Sequence, residues 1–424
     1  MSKKTASART QTYGGGLNRH QVTAWRNALF VVFGICGIGL ASWVARLPAV
    51  RDALNASTEH MGWLIFGIAV GSIVGLVASS HIVARFGARM TIVWCLILGP
   101  IGLTVAALGA TVGPNFSLIF ASLVIFGGAF GMCDVAMNVS GAANERALKR
   151  AIMPLFHAAF SGGTIIGAAL GALAEGLHIP IAVHIAVVCL VVAISAVVAV
   201  RSFQSEHILG EEAGAVPDDD FSMSWRGRLS IWRDPRTLLI GLVILGMAFS
   251  EGSANDWLTL AMVDGHGVSN ASGAVIFGVF VTAMTIGRIA GVFVLDRFGR
   301  VPVLRTCALL AAGGLLVVIF VPIVWIAVLG VVAWGLGSSL GFPVGMSAAA
   351  DDPKTAAARV SAVATIGYFA FLVGPPTIGF LGEHFGLLHA LLVVLVLVAL
   401  AGIVSGAARK PAPEPASVTA AATE

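Results

Sequence analysis

Long apolar blocks alternate with short polar breaks along nearly the whole chain. Within a block charged residues almost vanish, while the breaks collect Arg, Asp, Gly and Pro. A hydrocarbon layer of about 30 Å takes about 20 helical residues to cross, whereas a barrel strand needs only about 9–11 alternating residues. The blocks therefore predict twelve spanning helices, over 26–46, 60–82, 90–110, 116–141, 152–175, 179–200, 237–261, 271–295, 302–320, 324–349, 358–382 and 386–407.

Composition leaves no soluble alternative. The 424 residues are 58% hydrophobic and 11% charged, with mean hydropathy +0.94, against about 25% charged residues in a soluble domain. Five cysteines, Cys36, Cys95, Cys133, Cys189 and Cys307, are scattered through the apolar blocks. Without metal or redox spacing they read as small buried apolar residues. The basic N-terminus lacks the apolar core and cleavage site of a signal peptide, so the first block is expected to stay attached.

Charge changes the picture through its distribution. With the N-terminus in the cytoplasm, the inside segments hold 22 of the 25 Lys and Arg residues. Arg46 and Arg51 fall outside, and Arg288 falls within a span. That asymmetry predicts both termini cytoplasmic. The organisation read from it is a cytoplasmic N-tail (1–25), a six-helix bundle (26–201), a cytoplasmic linker (202–236), a second six-helix bundle (237–407) and a cytoplasmic C-tail (408–424). The linker begins acidic, with "EEAGAVPDDD". It ends basic and Trp-bearing, with "WRGRLSIWRDPR", a pattern that predicts a short helix at the headgroups.

The halves repeat. "GLVASSHIVARFGAR" (75–89) aligns with "GRIAGVFVLDRFGRV" (287–301), matching Gly75 to Gly287, Arg85 to Arg297, Phe86 to Phe298 and Gly87 to Gly299. Parallel six-helix repeats are one arrangement of secondary transporters that rock around a central site. "DRFGR" (296–300) resembles the D-R-x-G-R loop motif of the major facilitator superfamily, and the first-half copy has Ala84 in place of the acid. The stretches "GICGIGLASWVARLPAVRDAL", "MPLFHAAFSGGTIIGA" and "FSEGSANDW" are similar to a bacterial branch that includes rhizopine-related membrane proteins and relatives of fucose–proton symporters. The resemblance implies the major facilitator fold in the inner membrane and a proton-linked carrier of sugar-, polyol- or cyclitol-like solutes. It also implies a conformational latch at the cytoplasmic helix ends, carried by Asp296, Arg297, Gly299 and Arg300, with a weaker copy at Arg85, Gly87 and Arg89. Fucose-type acids sit in spans one and four, and here only span four has one. Drug antiporters of the superfamily usually carry an Arg in span four and Gly-Pro in span five, and this chain has neither.

Candidate chemistry follows from polar residues inside the spans. Asp134 sits about eighteen residues into span four, where a charge costs roughly 2.5–3.5 kcal/mol and so normally faces protein or an aqueous cavity. Asn138 shares its face at i+4. The pair could take up a proton and hold hydroxyls, or could be structural glue. Glu251 and Asn255 repeat the pairing in span seven, where Gly246, Gly252 and Ser253 permit a bend or close approach. Asp256 beyond them reads as a solute ligand or an exposed gate residue. His157 in span five is a proton relay or a capping residue near the helix end. Tyr368 falls opposite it in the repeat alignment. Trp43 and Trp257 could stack on a sugar ring or belong to the interfacial belt. Arg288 could snorkel, or could pair with a cavity acid and keep it ionised. Gly127, Gly128, Gly131, Gly163, Gly167 and Gly171 predict close packing of spans four and five.

There is no phosphate-binding loop and no zinc-spaced cluster, so no cofactor, metal, nucleic acid or enzymatic chemistry is expected. The expected partners are a small solute, protons and the bilayer, for a chain working as a monomer. Two other functions fit the same pattern: a proton-driven efflux antiporter for a metabolite or drug, and a non-transporting membrane receptor or scaffold.

Overall fold

A computed structural model of the chain describes residues 17–148, 152–204, 230–352 and 355–410. Most of the N-tail, most of the 202–236 linker and most of the C-tail therefore lie outside the described residues, and with them residues 225–229 at the start of the expected headgroup helix. The described chain is helical: α1 (Arg19–Val44), α2 (Leu47–Leu54), α3 (Thr58–Thr111), α4 (Phe116–Leu148), α5 (Met153–Gly176), α6 (Ile181–Val200), α7 (Pro235–His266), α8 (Asn270–Phe298), α9 (Arg300–Phe320), α10 (Val324–Ser338), α11 (Gly341–Ala349), α12 (Ala356–Phe385), α13 (Leu387–Ala390) and α14 (Leu392–Val404). Eleven helical segments are long and apolar enough to cross a membrane.

Local chemistry sets the ends. Asn18 and Gln21 form a reciprocal capping box on α1. Ser57 caps α3, and Asp234 caps α7 by accepting from the Arg236 and Thr237 amides. Within α3 the backbone breaks at Gly87, with φ 78° and ψ 157°. Gly299, its repeat partner, has φ 77° and ψ 173° between α8 and α9. Only glycine adopts such a conformation without strain, so the same turn is built twice at the two ends of the sequence repeat. The 324–349 block is also interrupted, at Ser339 and Leu340, giving α10 and α11.

Helices α1–α6 pack among themselves, as do α7–α14, and the seams between the groups run along α3–α12 and α5–α8. The glycine faces are directed elsewhere than the sequence suggests. A Cβ on Gly127 would stand 2.1 Å from the Ile68 carbonyl, and one on Gly131 would stand 2.4 Å from that of Ser72, both on α3. A Cβ on Gly163 would lie 2.0 Å from the Gly34 carbonyl and one on Gly167 2.5 Å from that of Ile38, while Gly171 faces Ala45. The smallest residues thus serve the closest crossings, α4 on α3 and α5 on α1, rather than α4 on α5. In α7, Gly246 lies against Leu397 and Gly252 against the Phe371 ring, so of the bend or close approach that these glycines permit, the structure uses close approach.

Candidate functional site

Between the two groups lies a cavity of ≈ 1820 Å³ that runs from a rim of basic residues to the middle of the helices. The rim includes Arg305, Arg409 and Lys410, and we call this the basic end. Its deep walls carry the polar residues singled out in the spans.

On the first wall, α4 presents Asp134 and α5 presents His157, Phe160 and Ser161. Asn138 holds the two helices in register. Its Nδ2 donates to the Asp134 backbone carbonyl at 2.8 Å and to Oδ1 at 3.2 Å. Its Oδ1 lies 3.2 Å from His157 Nε2. The imidazole therefore donates through Nε2, leaving Nδ1 as its acceptor. No cation pairs with Asp134 among the described residues. Phe130 and Phe160 line the same wall with ring centroids 6.3 Å apart.

On the second wall, Arg288 of α8 reaches Glu251 of α7. Arg288 Nη2 donates to both carboxylate oxygens, at 2.8 and 2.9 Å, and Nε donates to the Ser339 carbonyl at 3.4 Å. Tyr368 and Phe371 of α12 complete the wall. Of the readings open for Arg288, the geometry selects pairing with a cavity acid. The two walls are thus unequal: one holds an ion pair, the other a carboxylate whose side-chain partner is an amide.

The remaining candidates are distributed differently. Trp43 is 1% exposed and sealed among Leu47, Val50, Met61 and Leu64, off the cavity wall, and Trp257 is fully buried. Asn255 and Asp256 are half-buried on α7 and do not line the cavity. At the rim, Asp296 is exposed and has no ionic partner among the described residues. Arg297 and Arg85 each lie over the phenyl ring that follows them, at 5.5 and 5.3 Å, and Arg89 is exposed. Arg300 instead turns to Asp351, Nη1 donating at 2.7 and 2.9 Å. Arg236 donates to the same carboxylate at 2.9 Å. Asp351 is a residue the sequence reading passed over. It follows α11 in an ordinary polar break, and only the fold brings both arginines to it.

The end opposite the basic rim is closed by a polar network across the seam. Arg46 is 3% exposed; its Nε lies 3.1 Å from Glu175 Oε2, and its Nη2 donates to the Ile179 carbonyl at 2.8 Å. Asn270 Nδ2, from the second group, donates to Asp52 at 3.0 Å and to Glu175 at 3.4 Å. Arg51 pairs with Asp264. Glu383 at the end of α12 accepts from the Thr58 and Glu59 amides, 2.8 and 3.4 Å away, at the start of α3. Of these residues only Arg46 and Arg51 drew notice in the sequence, as the sole bases in outside loops.

Apolar helices long enough to cross a membrane, enclosing a polar-lined cavity open at one end and tied shut at the other, are the architecture expected of a membrane carrier. The profile of the Major Facilitator Superfamily matches residues 28–369 and 253–424, and the chain belongs to that family. It is a multi-pass transporter of the bacterial inner membrane, not an enzyme. It is 28% identical to an uncharacterized MFS-type transporter of Yersinia pestis over 83% of this chain and 88% of that one. It is 27% identical to membrane protein MosC of Rhizobium meliloti over 90% of each chain. Among solved structures it is similar in fold to the nucleoside transporter NupG (TM-score 0.73, 14% identity, 92% of this chain and 99% of that one). It is also similar to the E. coli fucose:proton symporter FucP (TM-score 0.58, 16% identity, 93% and 100%).

Proposed function

We propose that the chain is a monomeric, proton-coupled carrier of a small polar solute, sugar- or polyol-like, working by alternating access. The observation that carries this reading is the asymmetry of the cavity. Glu251 is compensated by Arg288, while Asp134 lines the cavity with an amide, Asn138, as its side-chain hydrogen-bond partner and no cation paired to it among the described residues. A carboxylate without a counter-charge in a confined, half-buried site is the group that gains most from binding a proton. Polar side chains for hydroxyls and aromatic rings for an apolar solute face lie around it: His157, Ser161 and Tyr368, with Phe130, Phe160 and Phe371. Among the solved neighbours in fold, carriers of fucose with protons, of nucleosides and of xylose fit a polar solute, beside a bacterial homologue of the lysosomal transporter Spinster.

The 54-residue α3, bent at Gly87, is read as two crossings, which brings the total to twelve. The Lys and Arg distribution puts the basic end and both termini in the cytoplasm. On that reading the structure is inward-facing. Exposed Asp296, with Arg297 and Arg300 turned away from it, fits a latch that assembles when the basic end closes. The test is solute flux in proteoliposomes under an imposed pH gradient. Wild type should follow the gradient. Asp134→Asn should exchange solute without responding to it, and gradient-driven accumulation by that variant would refute the assignment.

A further inference from the structure

The proposed site has one feature that a neutral solute does not use. Arg288 sits at mid-depth with its side chain 36% exposed on the cavity wall. Nη2 spends its donors on Glu251 and Nε spends its own on Ser339. Nη1 makes no hydrogen bond among the described residues. A guanidinium carries five donors in a fixed fork, so two N–H groups remain directed at the cavity. Keeping a permanent charge part-way into a membrane is costly, and the ion pair with Glu251 needs only one nitrogen. The spare edge is an acceptor site, and the acceptor it suits best is a carboxylate.

We infer that the solute is an acidic polyol, a sugar acid or its like, whose carboxylate docks on the free Nη1 edge of Arg288 while its hydroxyls meet Ser161 and Tyr368. This rests on the carrier reading above and adds the charge of the solute to it. The surroundings agree. Ser161 is 5% exposed yet lines the cavity, and among the described residues its hydroxyl and that of Tyr368 have no hydrogen-bond partner. Once the pairs Glu251–Arg288 and Asp351–Arg300 are set aside, the lining acids are Asp134 and Asp296, and the lining bases are Arg305, Arg409 and Lys410, with the imidazole of His157 and the phenol of Tyr368 as the other titratable groups on the walls. A basic rim raises the local concentration of anions. Basic residues gather at any cytoplasmic face, so the rim adds little by itself, and the weight lies on Arg288 at mid-depth.

Asp134 gives the coupling a direct electrostatic origin. Ionised, it places a negative charge on the wall facing Arg288 and repels an incoming carboxylate. Protonated, it does not. Anion and proton therefore enter the site together, with no relay of protons through Asn138. A solute ammonium would find the reverse: repulsion from Arg288 and from the rim.

The experiment is ligand-induced thermal shift and calorimetry on the purified protein in nanodiscs at pH 6 and pH 8. The probes are D-glucuronate, D-gluconate, the methyl ester of glucuronate, D-glucose and D-glucosamine. At least one acid should bind at pH 6 and weaken tenfold or more at pH 8, while the ester, glucose and glucosamine bind at least tenfold more weakly than that acid. Arg288→Lys keeps the charge, loses the fork, and should cost about tenfold in affinity for the acid. Unliganded melting of that variant checks that it folds. Asp134→Asn should bind the acid equally at both pH values. Three results would each overturn the inference: ester or glucose binding as tightly as the acid, Arg288→Lys binding the acid like wild type, or no acid binding at all. None of them touches the carrier reading, which stands or falls on gradient-driven flux and its loss in Asp134→Asn.

Discussion

Reversing the charge of Arg51 should unlock the end of the molecule opposite the basic rim. Arg51 binds Asp264 across the seam and also donates to Asp52 at 2.8 Å, with its side chain 17% exposed and that of Asp264 33% exposed. Ion pairs this close to water are worth about 0.2–1 kcal/mol. Arg51→Asp both removes the pair and adds a third carboxylate beside Asp52 and Asp264, so the total penalty on the closed state is about 2 kcal/mol. At a factor of ten per 1.4 kcal/mol, that moves the ratio of closed to open molecules roughly thirtyfold. Pulsed electron spin resonance between labels on Ala53→Cys and Ser272→Cys reads the opening as a longer distance. The five native cysteines are buried and do not compete for label. The double variant Arg51→Asp with Asp264→Arg should recover most of the short-distance population. If Arg51→Asp leaves the distance distribution unchanged, or the swapped pair fails to restore it, the network is not what holds this end shut.

Gly127→Ala forces the α3–α4 crossing apart, since its Cβ would stand 2.1 Å from the Ile68 carbonyl. Overpacking of this kind costs about 1–3 kcal/mol, so the melting temperature should fall, while Gly113→Ala, with nothing within 4 Å, should not shift it. Asp351→Asn strips two arginines of their shared carboxylate, itself 7% exposed. Hydrogen exchange should then quicken in the first turns of α7 and α9 and remain unchanged at the start of α3. The Asp234 carboxyl is pushed up by burial, but bonds from the Thr237 hydroxyl and amide, with Arg359 nearby, bring it below its usual range. A lowered folded value stabilises the protein above the unfolded pKa and loses that stabilisation as pH falls through the folded one. Asp234→Asn should therefore be less stable than wild type at neutral pH, with the difference shrinking in acid; a constant difference would contradict this.

The spans, the repeat and the cavity acids were legible because each is a departure from the membrane's own demand for apolar helix. Asp134 and Glu251 stand out in spans for that reason, and the structure sets both on one cavity. Three things were not legible. Trp43 and Tyr368 look alike in sequence terms, each an aromatic inside a span, yet one is sealed and the other lines the pocket. Which face of a helix meets water depends on its neighbours, and single-sequence periodicity is weak where nearly every position is apolar. The glycine faces announced close packing of spans four and five, but the partners, α3 for α4 and α1 for α5, emerge only in the fold. The end network escaped notice because its members are ordinary charges at helix ends and breaks whose meaning lies in pairing with residues far off in the sequence, 213 positions apart for Arg51 and Asp264.

The ion pair on the second wall also bears on voltage. Glu251 and Arg288 cancel, so moving their helices relative to the bilayer carries no net charge through the field. Unprotonated Asp134 does carry charge, and a full unit crossing the whole potential would feel about 2.3 kcal/mol per 100 mV. With the basic end in the cytoplasm, an inside-negative potential pushes that carboxylate outward. The empty carrier would be returned to the outside by the membrane potential itself.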